Sequence, residues 1–152
     1  IKRYHDAGFF IKLGIGSANK KFEKHNPLTV LEREKIIRAA MKEVKIRNYA
    51  IFPIADINSD KNYVRHVKRI VGTFDTIVTG NPHILKLFLN YNSKKPWSIE
   101  SFEETKRPGG KITSGMIRKN WLRGINRKGL PSSTFKYLKS IKFSERLKSL
   151  EH

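Results

Sequence analysis

Strand-like and helix-like segments alternate along most of this chain, and that alternation is the feature that most restricts its fold. The strand-like runs are short, apolar and closed by small or polar residues, as in buried parallel strands; they are residues 9–18, 49–56 and 74–82. The segments with helical spacing are residues 1–8, 28–44, 62–72 and 83–90. Strands that alternate with helices predict an α/β fold with a parallel sheet and crossover connections.

Local signals place several of the helix ends. Thr29 and Glu32 have the spacing of a capping box at the start of the second helix, and Gly8 and Gly72 are suited to helix C-termini. Residues 92–111 are predicted to be irregular. A helix carrying Arg118 and two basic helical stretches are predicted after it.

Small and polar residues gather at the ends of the predicted strands. The sequence "GSAN" follows the first strand, "ADINSD" the second and "TGNP" the third. Ligands of open parallel sheets bind beyond the carboxyl ends of the strands. These three stretches together therefore predict one ligand-binding crevice.

Net charge narrows the class of ligand. The chain has 32 Lys and Arg against 13 Asp and Glu, a formal net charge of +19. Such an excess favours an anionic partner, such as nucleotide phosphates, nucleic acid or anionic lipid. There are no cysteines, which excludes disulfides and thiolate metal sites, and no apolar run approaches the length of a membrane span.

The stretch "KITSGMIRKN" at 111–120 puts two hydroxyl residues and a glycine ahead of a helix that carries an Arg. One interpretation is an ordinary capped helix with a solvated Arg118. The other is a phosphate site, because the free N–H groups and the dipole of a helix N-terminus attract anions.

In combination, these motifs resemble the archaeal-type nicotinamide mononucleotide (NMN) adenylyltransferases of the HxGH nucleotidyltransferase superfamily. The similarity covers nearly the whole chain. The matching stretches are "IGSANKKFEKHNPLTVLER" (15–33), "PIADINSDKNYV" (53–64), "FDTIVTGNP" (74–82), "ITSGMIR" (112–118) and "SERLKSL" (144–150).

The resemblance implies a Rossmann-like parallel sheet with helices on both faces, and an enzyme that joins NMN to the adenylyl group of ATP. The products would be NAD and pyrophosphate, with Mg²⁺ bound to ATP and no covalent enzyme intermediate. The resemblance further implies a cytoplasmic enzyme without a membrane partner, and we expect a homo-oligomer.

The sequence lacks the signature motif of the superfamily. Its five histidines, at 5, 25, 66, 83 and 152, include no pair with HxGH spacing. The first helix resembles the end of the helix that follows that motif, so we expect the first strand and HxGH upstream of Ile1. On this basis residues 1–149 form one N-terminally incomplete nucleotidyltransferase domain, and 150–152 resemble a tag remnant.

By resemblance, Arg118 is the catalytic residue and contacts the ATP phosphates through a guanidinium fork. The residues implied for ATP binding are Gly80, Asn81, Thr113, Ser114 and Arg118. The family usually has Thr where this chain has Gly115. The alternative for Gly80 and Asn81 is an ordinary turn before Pro82.

The residues implied for NMN binding are Ser17, Ala18, Asn19, Asp56, Asn58, Asp60 and Tyr63. The carboxylate of Asp56 would accept from the carboxamide, and Tyr63 would stack on the pyridinium. The family often has Asn where Asp60 stands and Trp where Tyr63 stands. The alternative is a helix-capping Asp and a half-buried Tyr.

Basic residues of the first loop could hold the NMN phosphate or could be a solvated surface; they are Lys20, Lys21, Lys24 and His25. The other histidines, His5, His66 and His83, are expected on the surface or in helices. The tryptophans, Trp97 and Trp121, are expected to pack.

Two other functions stay open. Within the superfamily, the acceptor could be a flavin or pantetheine phosphate, although the Asp56 loop favours NMN. In another class, the net charge of +19 could mark a nucleic-acid-binding module without catalysis. That function is not favoured, because the basic residues are spread over many elements and do not interleave with aromatic residues on one face.

Overall fold

The computed structural model describes residues 1–91, 98–101, 113–125 and 130–151. In chain order, the elements are α1 (Lys2–Asp6), β1 (Ile11–Ile15), α2 (Val30–Glu43), β2 (Tyr49–Pro53), α3 (Asp60–Val71), β3 (Thr76–Thr79), α4 (Pro82–Tyr91), β4 (Ser98–Ser101), α5 (Ser114–Leu122), α6 (Ser132–Ser140) and α7 (Phe143–Ser149). The alternation of strands and helices over the first ninety residues is as predicted.

Both strand pairings are parallel, which confirms the α/β class. Strand β1 pairs with β2, with Ile11 opposite Tyr49, and β3 pairs with β4, with Thr76 opposite Ser98. Among the described residues, the four strands form two separate pairs rather than the single sheet that was predicted.

Strand β4 corrects the prediction that residues 92–111 are irregular. Its sequence, Ser-Ile-Glu-Ser, has a single apolar residue and therefore no alternation that could predict a strand. The strand forms because its backbone pairs with β3, and this pairing cannot be predicted from its side chains. The remainder of that segment, with Trp97, lies outside the described residues.

The residues fall into two compact units. The first comprises Ile1–Asp56 and Ile112–His152, and its core is a cluster of Trp121, Leu138, Phe143 and Leu147. The ring of Trp121 meets Phe143 edge-on with centroids 5.6 Å apart. The prediction that Trp121 packs is confirmed.

Strands β1 and β2 complete the first unit, and Gly14 fits a close approach there. A Cβ atom at Gly14 would lie 2.8 Å from Cδ1 of Ile54, so any side chain would push Ile54 aside. Ile54 is itself buried. Its N–H donates to the carbonyl of Ile15 over 2.8 Å, just beyond the last paired residues of the strands.

The second unit, Ile57–Lys111, contains α3, α4, β3 and β4. Val64 and Val67 of α3 and Phe88 of α4 are buried. Phe88 meets the ring of Phe74 with centroids 6.2 Å apart. Helix α3 starts at Asp60, two residues before the predicted segment.

Predicted helix ends are confirmed by hydrogen bonds. Gly8 has a φ of 84° and donates to His5, while Phe9 donates to Tyr4, which is a Schellman motif at the end of α1. Thr29 and Glu32 form the predicted capping box. No helix among the described residues is long and apolar enough to cross a membrane.

Candidate nucleotide site

The loop after β1 is folded back onto the end of β2. Ser17 has a φ of 50°, a left-handed conformation that is uncommon for a residue other than glycine. The N–H of Ala18 donates to the carbonyl of Ile54 over 3.0 Å. The side-chain oxygen of Asn19 accepts from the N–H of Asp56 over 2.9 Å. Four of the predicted NMN residues are therefore neighbours.

The carboxylate of Asp56 is held at both of its oxygens. Ser17 Oγ donates to Oδ1 over 3.1 Å, and Lys20 Nζ lies 3.4 Å from Oδ2. The Asp56 side chain keeps 40% of its surface exposed. It can therefore meet a ligand while its orientation is fixed by the loop.

Arg33 of α2 holds the same loop from the other side. Its Nη1 donates to the carbonyl of Gly16 over 2.8 Å, and its Nη2 donates to Ser17 and Lys20 over 2.9 and 3.2 Å. Burial lowers the pKa of the Arg33 guanidinium, and the charge of Asp56 opposes that effect. Arg33 is the last residue of the matching stretch 15–33, but no role is predicted for it, because nothing in a helical pattern distinguishes an Arg that binds carbonyls from a solvated one.

Glu32 secures the start of α2. It accepts from the N–H of Thr29 over 2.8 Å and from Arg146 of α7 over 2.7 Å. Burial raises the pKa of Glu32, but the Thr29 and Arg146 donors outweigh it and bring the pKa below its ordinary value. The guanidinium of Arg146 also lies 5.2 Å from the ring centroid of Phe22 in the loop. The start of α2, the loop and α7 are thus tied together.

Helix α5 begins directly after Thr113, as the capping signal predicts. Thr113 Oγ1 accepts from the N–H of Met116 over 3.1 Å, which makes Thr113 the N-cap. A Cβ atom at Gly115 would lie 3.9 Å from Nη2 of Arg118. The side chain of Arg118 therefore lies back toward the helix N-terminus, where Ser114 is exposed.

A cavity of about 510 Å³ lies within the first unit, beside these residues. Its polar wall includes Gly16, His25, Arg33, Ser114 and Arg118. The rest of the lining is mostly apolar, with Leu28, Ile36 and Leu138 among it. The guanidinium of Arg118 suits an anionic ligand at this cavity, whereas that of Arg33 is bound to loop carbonyls.

In the second unit, Gly80 and Asn81 form the turn between β3 and α4. Asn81 Oδ1 accepts from the N–H of His83 over 2.9 Å and from that of Ile84 over 3.4 Å. The N–H of Asn81 donates to Thr79 Oγ1 over 3.2 Å. Asn81 therefore caps α4, with Pro82 at its first position.

Asp60 lies at the start of α3 and pairs with a histidine. Its Oδ1 is 3.2 Å from Nε2 of His83, and both side chains are largely exposed. They share a cavity of about 400 Å³ with Lys61, Lys86 and Tyr91. Asp60 is in the first turn of α3, while Ser59 is the N-cap.

Asn58 is exposed and Tyr63 is half-buried. Together with Asp60 they lie in one short segment of the second unit. His5, His66 and His83 all lie in helices, as expected. Among the described residues, no group of three or more His, Cys, Asp or Glu side chains could hold a metal ion.

Parallel strands that end in small and polar residues, and an Arg laid over a helix N-terminus, are features of α/β proteins that bind nucleotides. Comparisons with known proteins narrow this class. The chain is 30% identical to the nicotinamide-nucleotide adenylyltransferase of Picrophilus torridus over 151 residues, which is 99% of this chain and 86% of the relative. It is 36% identical to the enzyme of that name from Methanococcus maripaludis over 92% of this chain and 78% of the relative. The chain belongs to the nicotinamide-nucleotide adenylyltransferases.

A solved structure supports the fold. The chain superposes with a TM-score of 0.75 on a bifunctional NMN adenylyltransferase/ADP ribose pyrophosphatase from Francisella tularensis. The match covers 98% of this chain and 46% of that one at 14% identity, so it bears on the fold alone. No family model matches the chain.

Proposed function

We propose that this protein transfers the adenylyl group of ATP to NMN, giving NAD and pyrophosphate. The observation that carries the proposal is the relationship to nicotinamide-nucleotide adenylyltransferases over 99% of the chain. The conformation of the Asp56 loop supports it, because a fixed and accessible carboxylate can accept from a carboxamide N–H.

The reaction requires little covalent chemistry from the protein. An oxygen of the NMN phosphate attacks the α-phosphorus of ATP in line. The bond from that phosphorus to the β-phosphate oxygen breaks, and the electron pair leaves with pyrophosphate. Positioning and charge stabilisation therefore supply most of the catalysis.

We assign the charge stabilisation to Arg118. Its guanidinium lies over the start of α5, so the helix dipole and the side chain would act on the same phosphate. Thr113 and Ser114 would assist there, and Gly80 and Asn81 would contact the adenosine part of ATP.

On the acceptor side, we assign NMN binding to the strand-end residues and the start of α3; they are Ser17, Ala18, Asn19, Asp56, Asn58, Asp60 and Tyr63. Mg²⁺ would enter as part of the ATP substrate, since phosphate oxygens supply most of its ligands. We also propose that the enzyme acts in the cytoplasm, as a homo-oligomer.

The test is direct synthesis. Full-length protein with NMN, ATP and Mg²⁺ should form NAD and pyrophosphate in equal amounts, measured by chromatography. Flavin mononucleotide and phosphopantetheine, offered separately, should be poor acceptors. Transfer to either in preference to NMN would overturn the acceptor, and no transfer to any of the three would overturn the enzyme class.

The first strand and the HxGH segment expected upstream of Ile1 stay a prediction. The sequence of the gene upstream of the Ile1 codon tests it directly.

A further inference from the structure

The guanidinium of Arg33 donates its hydrogen bonds to backbone carbonyls. Besides its bonds to Gly16, Ser17 and Lys20, its Nε donates to the carbonyl of Thr29 over 3.4 Å. Guanidinium groups at nucleotide sites ordinarily bind phosphate or carboxylate oxygens. Here the group is turned toward the chain itself, although it also lines the 510 Å³ cavity.

The carbonyls that Arg33 holds belong to a strained segment. Ser17, with its φ of 50°, is one of the three residues whose carbonyls Arg33 binds. A non-glycine residue in this conformation persists only where its surroundings fix it. The two short bonds from Arg33 to Gly16 and Ser17 provide that constraint.

The same segment supplies both donors to Asp56. The backbone of Ser17 and that of Lys20 are held by Arg33, while their side chains bind the two oxygens of the Asp56 carboxylate. A chain of contacts therefore runs from Arg33 through the loop to Asp56.

We propose that Arg33 is a positioning residue for NMN recognition, which acts by holding residues 16–20 so that Ser17 and Lys20 orient the carboxylate of Asp56. The proposal rests on the proposed function and adds a residue that touches neither substrate. It assigns the specificity of the acceptor site to a contact between α2 and the loop.

Lysine cannot replace Arg33 in this role. A guanidinium directs separate N–H groups at carbonyls on different residues, while an ammonium offers one nitrogen. Arg33→Lys keeps the charge beside the cavity and loses the fork. Arg38→Lys is the matched control, since Arg38 lies on the same helix and pairs on the surface with Glu34.

The experiment measures KM for NMN, KM for ATP and kcat of the full-length protein, with hydrogen–deuterium exchange of residues 16–20. Arg33→Lys should raise KM for NMN by about tenfold, as for the loss of one net hydrogen bond to a charged group. KM for ATP and kcat should stay within about twofold, and exchange in the loop should accelerate. Arg38→Lys should change none of these.

Several results would overturn the proposal. One is a folded Arg33→Lys protein with an unchanged KM for NMN, and another is an equal rise in KM for both substrates. If Arg33→Lys does not fold, Ser17→Ala tests the same chain of contacts, because it removes one donor to Asp56. It should raise KM for NMN by about threefold and leave KM for ATP unchanged, and an unchanged KM for NMN would overturn the proposal.

The two proposals fail separately. If wild-type protein forms NAD and Arg33→Lys leaves KM for NMN unchanged, the positioning role is wrong and the proposed function stands. Wild-type protein that forms no NAD removes the function, and the role in NMN recognition with it.

Discussion

The loop after β1 and the turn after β3 both follow parallel strands and both carry predicted substrate residues, but different kinds of contact hold them. The first loop is bound by residues distant in sequence: Arg33 of α2, and Asp56 after β2. The second is bound by its own neighbours, through Thr79, His83 and Ile84. Only the first depends on the packing of several elements.

This difference indicates where mutations should act at a distance. A network built from long-range contacts couples residues that do not touch the ligand to those that do. A turn closed by adjacent residues can be altered with mainly local consequences. We therefore expect larger and more selective effects in the first loop and its surroundings than in the turn after β3.

The largest effect is expected at the start of α5. Arg118→Ala should reduce kcat by roughly 100-fold, the loss typical of removing one preorganised donor from a charged transition state. KM for NMN should change much less. Arg118→Lys should recover only part of kcat, because it keeps the charge without the planar fork.

Steady-state kinetics measures this prediction, with circular dichroism as the control for folding. A folded Arg118→Ala protein with wild-type turnover would show that α5 begins as an ordinary capped helix with a solvated Arg.

Next in size is a paired substitution of the two aspartates. Asp56→Ala should raise KM for NMN by roughly 30-fold, about 2 kcal/mol, because it removes an oriented acceptor. KM for ATP should stay nearly constant. Asp60→Ala should raise KM for NMN by less than about threefold, because Asp60 is oriented only by a weak, exposed pair with His83, whereas Asp56 is held at both of its oxygens.

Equal effects of the two variants on KM for NMN would show that the contacts which hold Asp56 from the first loop do not matter for NMN binding. A parallel loss of affinity for ATP in Asp56→Ala would contradict the role in reading the carboxamide.

The sequence predicts the fold best where the signal is local. The Schellman end at Gly8, the capping box of Thr29 and Glu32, and the cap at Thr113 depend on residues five or fewer apart. Strand β4 is missed because its pairing with β3 is set by tertiary contact and leaves no apolar alternation in Ser98–Ser101.

The candidate site shows the same limit. Resemblance singled out Ser17, Asn19 and Asp56, and the structure brings them together. The resemblance included Arg33 in a matching stretch but assigned it no role, because the loop carbonyls that Arg33 binds lie 13 to 17 residues away in sequence. Partners at that separation become visible only when the loop folds back.

The third prediction concerns the start of α2, which anchors the first loop. Glu32→Gln should lower the unfolding free energy by about 1.5 kcal/mol at pH 7, because Arg146 loses its charged acceptor. The folded pKa of Glu32 lies below its ordinary value of 4.5. Its contribution is therefore fully present above that pH and is lost as pH falls through the folded pKa.

Urea unfolding between pH 7 and pH 3 measures the difference between Glu32→Gln and wild type, which should shrink on the acid side. Glu34→Gln is the control, since its surface pair with Arg38 should contribute at most about 0.5 kcal/mol. A difference that is the same at every pH would mean that the Glu32 charge does not stabilise the fold.

The smallest effect is expected in the turn after β3, where substitutions of Asn81 distinguish its role as a helix cap from a role in ATP binding. Asn81→Ala removes the side-chain acceptor for the N–H of His83 and should lower the unfolding free energy by about 1 kcal/mol. Asn81→Ser keeps a capping oxygen and should restore most of that stability. If Asn81 also contacts ATP, the serine variant should still show a raised KM for ATP, because the shorter side chain offers no amide. Thermal unfolding and KM for ATP, measured on both variants, decide between the roles.

A serine variant with wild-type stability and wild-type KM for ATP would leave Asn81 as a helix cap alone.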